Sequence, residues 1–377
     1  MIQYVWQKPE WPTLHWNSDR LLEPLGRARL RQGKLLSQAA GLGFELEQQA
    51  QMEILTEEAV KTAAIEGDNL DRRTVRSSVA RRLGLPTAGL PAAPQRVEGL
   101  VEVLLDATRN FRAPLTEDRL KRWQAALFPT GFSGLHRIRA GDWRRAESPM
   151  QVVSGPVGKE TIHFEAPPGE RVAAEIDCFL DWWQSSLGAL DGLLRAGMAH
   201  FWFVTIHPFE DGNGRIARAL TDMALTQDEG LPVRFYSLST QTMAERDAYY
   251  SVLEKCQKED EDVTAWMEWF LGCFERAVMK SEGILAGVLF RSRFWQHHAS
   301  AGLSERQCKV LNRLLDAGPA GFEGGMTTRK YAGLAGVSKA TAQREIAALV
   351  EKGILRLNPG GGRSTSYDLE WEKEQTH

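Results

Sequence analysis

The 377-residue chain contains only four cysteines, Cys178, Cys256, Cys273 and Cys308, and no two of them form a CxxC pair. Histidines are not spaced around them as metal ligands. A zinc module or a disulfide scaffold is therefore excluded, and reduced thiols in packed interiors are expected. No apolar run approaches the roughly 20 residues that span a bilayer. The opening MIQYVWQKPEW has no basic stretch ahead of an apolar one, so it does not read as a secretory signal. Nor is there an excess of one charge. The formal net charge is −3 and the pI is about 6.3, which gives no global field for nucleic acid or a membrane surface. What is present is 43% hydrophobic and 25% charged residues, the profile of a globular protein of two or three domains. A cytoplasmic, non-membrane protein is expected.

Proline is scarce and Ala, Leu, Glu and Gln are abundant between Leu21 and Leu85, a helical pattern. One long helix is expected from Phe44 to Glu66, ending at Gly67. Prolines 86, 91 and 94 with Gly89 then mark a linker or ordered connection. A second helical block runs from Gln95 to about Leu127. The stretch 128–170 is richer in Gly, Pro and β-branched residues, and MQVVSG with ETIHFEAPPGE predicts a β-hairpin turning near Gly155–Gly158. Helical patterning resumes from Val172 to about Gly287. The fold class is thus mostly α, in three parts: 1–94, 95–290 and 300–371.

The most informative segment is His207–Arg218, HPFEDGNGRIAR. The preceding residues, Leu193–Ile206, are apolar nearly all round, as in a helix buried at the centre of a domain. Pro208 cannot easily continue that helix. Asp211-Gly212-Asn213-Gly214 is turn chemistry, and a second helix follows, with Gly230 suited to its C-terminal cap. The unpaired N–H groups and positive dipole end of this second helix make an anion site. Gly212 and Gly214 let backbone approach a phosphate closely. Arg215 and Arg218, three apart, put two guanidinium forks on one face. Asp211 offers a hard oxygen ligand for Mg²⁺. His207 offers a base that titrates near neutrality. A base, a metal carboxylate and a polyphosphate cradle within one short segment point to phosphoryl or nucleotidyl transfer. The alternative is a glycine-rich turn with a capping Asp and two surface arginines.

This segment resembles the Fic family, whose core pattern is H-x-F-x-(D/E)-G-N-G-R-x-x-R, and every specified position matches. The resemblance implies a mostly helical catalytic domain over 95–290 that transfers AMP from ATP to a Ser, Thr or Tyr hydroxyl of a target protein. It implies His207 as general base and Asp211 as the Mg²⁺ ligand. Gly212, Asn213 and Gly214 would bind the α- and β-phosphates, Arg215 would steady the β-phosphate and Arg218 would contact the γ-phosphate. Phe209 would anchor the loop. Family members that transfer phosphate carry Lys where this chain has Gly214, so AMP transfer is the expected chemistry. The hairpin 150–164 falls where the family has its flap, beside which an extended target segment docks as a strand; a purely structural hairpin is the other reading. Tyr249, Tyr250 and Gln257 fall in the region that lines the adenine pocket, although tyrosines at helical spacing also pack as plain core.

Thr62-Ala63-Ala64-Ile65-Glu66-Gly67 resembles the inhibitory (S/T)-x-x-x-E-(G/N) motif of some family members. Glu66 lies at a helix C-terminus, where the dipole disfavours an anion and a cation partner relieves the cost. The resemblance makes Arg218 that partner, so that ATP loses its γ-phosphate clamp. Thr62, one turn earlier, would orient the Glu66 carboxylate. The same carboxylate could instead position a water that removes AMP.

Residues 303–371 resemble a winged helix-turn-helix, with Gly336-Val337 as the turn, Ser338 capping a recognition helix and Asn358–Ser366 as the wing. Ala342, Ile346, Leu349 and Val350 are expected inward, and Lys339, Gln343 and Arg344 outward, with Arg356 and Arg363 on or beside the wing. Glu345 and Glu351 dilute this basic footprint. DNA through 327–366 and protein docking or homodimerisation remain open. A DNA-binding regulator that only senses ATP is therefore the alternative to the transferase.

Overall fold

A computed structural model describes residues 4–41, 43–87, 89–145, 149–154, 161–316, 322, 324–359 and 365–370. The chain divides into two units, Met1–Gly283 and Ile284–His377. The N-terminal helical region and the motif-bearing segment thus share one unit, and the proline-rich stretch before residue 95 is a connection inside it.

The first unit begins with a 3₁₀ turn, Val5–Gln7, followed by α1 (Ser18–Ala40) and α2 (Phe44–Ile65). Asn17 caps α1 by accepting from Arg20 N at 3.1 Å. Leu21, Ala28 and Leu35 recur every seventh residue on its buried side. Helices α3 (Arg72–Arg82), α4 (Gln95–Arg109) and α5 (Glu117–Leu127) follow. A short hairpin that composition did not foresee comes next, with β1 (Phe132–Ser133) paired to β2 (His136–Arg137). The expected hairpin is β3 (Gln151–Ser154) antiparallel to β4 (Thr161–Glu165), with an irregularity between Val152 and Val153. Its turn, Gly155–Gly158, lies outside the described residues.

Helix α6 (Val172–Ser185) leads to α7 (Gly192–Ile206), which is buried throughout from Leu193 to Ile206. It packs along α8 (Asn213–Glu229), and α2 lies against α8, α4 and α9 (Leu238–Ala244). Helices α10 (Arg246–Lys258) and α11 (Thr264–His297) complete the order. Ion pairs Arg20–Glu268, Arg27–Glu275 and Lys34–Glu282 advance by seven residues on both helices, so α1 runs parallel to α11.

The second unit contains α12 (Glu305–Asp316), α13 (Thr328–Ala335) and α14 (Lys339–Glu351), with β5 (Leu355–Leu357) antiparallel to β6 (Tyr367–Leu369). Gly336, at φ +67°, turns the chain between α13 and α14, and Ser338 caps α14 by accepting from Thr341 N at 3.2 Å. Ala342, Ile346 and Leu349 are buried as expected, but Val350 is 37% exposed. Leu349 already occupies the inward position, and the next residue is turned about 100° away. Glu345 also departs from expectation. It faces inward, accepting from the Tyr331 hydroxyl at 2.8 Å and pairing with Arg306. Arg363 lies outside the described residues. Cys256 and Cys273 are buried, whereas Cys178 is exposed, against the expectation of interior thiols, because it falls on the outer face of α6. Among the described residues no helix is long and apolar enough to cross a membrane.

Candidate active site

Helix α7 stops on His207, which adopts φ 51°, ψ 57° and is the one described non-glycine residue with positive φ. Such a left-handed residue costs free energy and persists only where its surroundings hold it. Here Arg144 supplies the restraint. Its backbone N–H donates to Pro208 O at 3.0 Å and its Nε to His207 O at 2.7 Å. The imidazole Nδ1 lies 3.2 Å from Val204 O. A carbonyl only accepts, so Nδ1 carries the proton and Nε2 is left with its lone pair. Burial pushes the imidazole pKa down to about 4, against the pull of the Val204 carbonyl. The ring is neutral at pH 7, as a general base requires.

The loop after His207 is held by its own side chains. Phe209 is fully buried, its ring 4.7 Å from that of Trp143. The Asn213 amide bridges back to Phe209, accepting from its N–H at 2.9 Å and donating to its carbonyl at 2.8 Å. The side chain expected to touch phosphate is therefore engaged in closing the loop, and Asn213 can offer a phosphate only its backbone. Gly212 has φ +93°, and a Cβ there would meet the Phe128 ring at 2.9 Å. Helix α8 begins directly after it, so the N–H groups of its first turn open onto the loop.

Asp211 accepts from the Ser133 hydroxyl of β1 and lies 3.5 Å from the Arg215 guanidinium. Arg215 also sits over the Phe128 ring at 4.8 Å. The Asp211 side chain is 40% exposed, which leaves it accessible to a cation. Among the described residues no group of three or more His, Cys, Asp or Glu side chains could hold a metal ion.

Arg218, one helical turn beyond Arg215, turns to α2. Its Nε donates to Thr62 Oγ1 at 2.6 Å, and its NH2 group donates to Thr62 O at 3.0 Å and to Glu66 Oε1 at 2.7 Å. Thr62 therefore grips the arginine itself, instead of orienting the Glu66 carboxylate, because its hydroxyl points at α8. Burial works against the Arg218 charge, and the neighbouring Glu66 more than offsets it. A Cβ on Gly214 would stand 2.2 Å from Glu66 Oε1. The carboxylate therefore lies directly over the backbone of the cradle.

The Glu66 end of α2 is fixed by its capping. Glu66 N bonds Ala63 O, Gly67 N bonds Ala64 O and Asp68 N bonds Ala63 O, with Gly67 at φ +82°. The Arg246 Nε donates to Ile65 O at 2.9 Å, and Tyr250 stacks under that guanidinium, its hydroxyl 3.4 Å from the same carbonyl. Tyr250 is thus beside the C-terminal end of α2 and partly exposed. Gln257 is not, since it is buried and donates to Thr205 Oγ1 at 3.1 Å. Its amide serves the α7–α10 core and cannot line an adenine pocket without leaving it. Arg144 and Ser133 were invisible to sequence reasoning. Neither belongs to a periodic pattern or a motif, and only the fold brings them to the loop.

A buried helix that breaks at a left-handed histidine into a glycine-lined N-terminus, inside a mostly helical unit, is an arrangement suited to holding an anion. Residues 114–225 match the Fic/DOC family model, and residues 4–85 match a domain of unknown function, DUF4172. The chain is 38% identical over 85 residues to protein adenylyltransferase fic-1 of Caenorhabditis briggsae, covering 22% of this chain and 16% of that protein. It is 32% identical over 126 residues to a uridine 5'-monophosphate transferase of Xanthomonas campestris, covering 32% of this chain and 22% of that protein. The matched stretches thus span less than a quarter of the length of these relatives. A crystal structure of a Fic family protein from Desulfovibrio desulfuricans superposes with TM-score 0.53 at 18% identity, over 97% of this chain and all of that one. A Fic-1 fragment from Caenorhabditis elegans gives TM-score 0.50 at 22% identity, over 70% of this chain and 73% of that one. These structural likenesses establish the fold.

Proposed function

We propose that this protein is a nucleotidyltransferase that moves AMP from ATP onto a Ser, Thr or Tyr hydroxyl of a protein, and that Glu66 restrains it by occupying Arg218. The observation that carries the reading is the joint presence of a neutral His207 at the mouth of the cradle and a carboxylate 2.7 Å from the arginine at its far end. In the reaction the acceptor oxygen attacks the α-phosphorus while His207 Nε2 takes its proton. The bond from the α-phosphorus to the bridging oxygen of the β-phosphate breaks, and pyrophosphate leaves. The first-turn N–H groups of α8 and Arg215 stabilise the charge on the phosphates. Arg218, once released, orients the γ-phosphate so that the α-phosphate lies at His207. Asp211 would hold Mg²⁺ together with the substrate phosphates, since one accessible carboxylate suits an ion bound mainly by phosphate and water. That ion supplies neutralisation of phosphate charge.

The name of the Xanthomonas relative makes UMP the competing group, so the test compares nucleotides. The Glu66→Gly protein is incubated with ATP or UTP and Mg²⁺, and its intact mass is measured with and without an added lysate fraction. A gain equal to one AMP on any protein, absent with His207→Ala, is expected. No transfer from either nucleotide would sink the proposal.

One observation favours a second activity for the C-terminal unit. With Glu345 turned inward, the exposed face over the first turns of α14 carries Lys339, Gln343 and Arg344 without an acid. That face suits duplex DNA. A steep loss of duplex binding with salt is expected, and salt-independent or absent binding assigns the unit to protein docking.

A further inference from the structure

The segment ahead of α1 does not merely trail from the domain. It covers one face of the β3–β4 hairpin. Tyr4 meets Phe164 of β4 edge-on at 5.3 Å, and the Trp6 indole N–H donates to Glu165 O at 2.6 Å. Arg171 lies over the Trp6 ring at 5.5 Å. Trp11 donates to Glu175 Oε2 at 2.8 Å and reaches the Trp202 ring of α7 at 6.1 Å. Tyr4, Trp6, Phe164 and Ala166 form a small core of their own, joined by Met150 and Val152. On the opposite face of the same hairpin, Val153 and Ile162 are 48% and 42% exposed.

Two strands alone are marginal in water and need a packed face to hold their shape. The hairpin here gets that face from residues 4–11, and one indole N–H fixes the end of β4 against a stationary turn. It is also attached to α10, His163 Nδ1 lying 2.7 Å from Glu254 Oε2.

We infer that Tyr4 and Trp6 are positioning residues, which hold the hairpin in the register needed to receive an extended acceptor segment at its open side. This rests on the proposed reading of the hairpin as the acceptor-docking flap. It gives the 4–85 region two separate contacts with the site: the N-terminal end sets the acceptor side, and α2 closes the nucleotide side.

The test uses the full chain carrying Glu66→Gly, with Trp6→Phe or Trp6→Ala added. Trp6→Phe keeps most of the ring packing and removes only the N–H. Amide exchange is followed over 150–154 and 161–166, ATP affinity by calorimetry, and the rate of AMP transfer to protein by mass. Loss of one hydrogen bond predicts roughly fivefold faster exchange in the hairpin for Trp6→Phe and more for Trp6→Ala. ATP affinity should stay at the parent's value, and transfer should fall in step with hairpin protection. Hairpin exchange equal to the parent's overturns the inference, as does unchanged transfer despite faster exchange. If the Glu66→Gly parent transfers nothing, the transferase reading has failed instead, and hairpin exchange still decides whether Trp6 anchors the strands.

Discussion

Replacing Glu66 by glycine should move stability and nucleotide affinity in opposite directions. The Glu66–Arg218 bond is charge-assisted and 2.7 Å long, and its two ends differ: the Arg218 side chain is 4% exposed and that of Glu66 is 32% exposed. Such a bond contributes about 2 kcal/mol. Under the proposed function, a γ-phosphate must displace the carboxylate before it can use the arginine, so that energy is subtracted from productive ATP binding. Removing Glu66 should therefore tighten productive binding by about 30-fold and raise transfer at subsaturating ATP by a similar factor. Folding stability should fall by a comparable amount, about 2 kcal/mol, and no further, because Thr62 still engages Arg218 twice. Calorimetric titration with ATP and urea unfolding measure the two quantities on the same preparation. Adding Arg218→Ala should erase the gain, as a double-mutant cycle requires of directly coupled residues. Equal or weaker ATP binding by Glu66→Gly would refute the argument, since the carboxylate would then not be competing for the phosphate's place.

Other outcomes follow from the same geometry. Thr62→Val removes the acceptor for Arg218 Nε while keeping the shape, so it should cost about 1–3 kcal/mol by stranding a buried donor, seen in the urea midpoint. It should also raise transfer less than Glu66→Gly does. Asn213→Ala cuts both bonds to Phe209 and should lose about 2 kcal/mol of stability and nearly all transfer, with the loss in kcat persisting at saturating ATP. For pH, His207 is held neutral by burial down to about 4, well below the usual imidazole value near 6.5. Glu66 itself raises the imidazole pKa, so the acid limb of kcat/KM for Glu66→Gly should lie near pH 4 or below and not near 6.5. The same depressed value makes the unfolded chain bind the extra proton first. His207 therefore adds nothing above about pH 6.5 and destabilises the fold as pH drops from there toward 4, a contribution His207→Gln should remove from the pH dependence of unfolding.

How far the site could be read from the sequence depends on how local its parts are. His207–Arg218 is one contiguous segment, so Gly212 at its cap, the α8 start and the α7 stop follow from neighbouring residue types. The Glu66–Arg218 pairing spans 152 residues, and only the resemblance of the Thr62–Gly67 segment linked its ends. Arg144, which holds the left-handed His207, and Ser133, which holds Asp211, carry no such mark and became visible only in the fold. The errors have the same origin. Gln257 lies at helical spacing from Tyr250, but spacing does not tell which face meets α7, and the Thr205 hydroxyl drew it into the core. Asn213 sits in a phosphate-binding pattern, but the pattern does not separate a residue that touches phosphate from one that shapes the loop. Glu345 was placed outward by periodicity, and the Tyr331 hydroxyl on the neighbouring helix brought it inward.

The capping of α2 determines what kind of restraint Glu66 can be. A helix C-terminus carries unpaired carbonyls and a partial negative charge, so cations settle there. Arg218 takes Thr62 O and Arg246 takes Ile65 O, and both bonds are independent of the Glu66 carboxylate. Thr62 Oγ1 adds a third. The helix is therefore fastened to α8 and α10 by its own backbone, and the carboxylate is an addition at its tip. Under the proposed function, uncovering Arg218 for a γ-phosphate then requires only that the partly exposed Glu66 side chain rotate off Gly214, with the Thr62 bonds kept. It does not require α2 to leave. Lifting the whole helix would strand the buried Arg218 guanidinium, which costs several kcal/mol more than a side-chain rotation. Under the proposed function, an activating protein need only offer a cation to Glu66 to tip the balance, whereas an inhibiting one must keep Glu66 seated. Activation by Glu66→Gly with unchanged exchange protection along α2 is the expected signature, and loss of that protection would show that the helix, not the carboxylate, is the moving part.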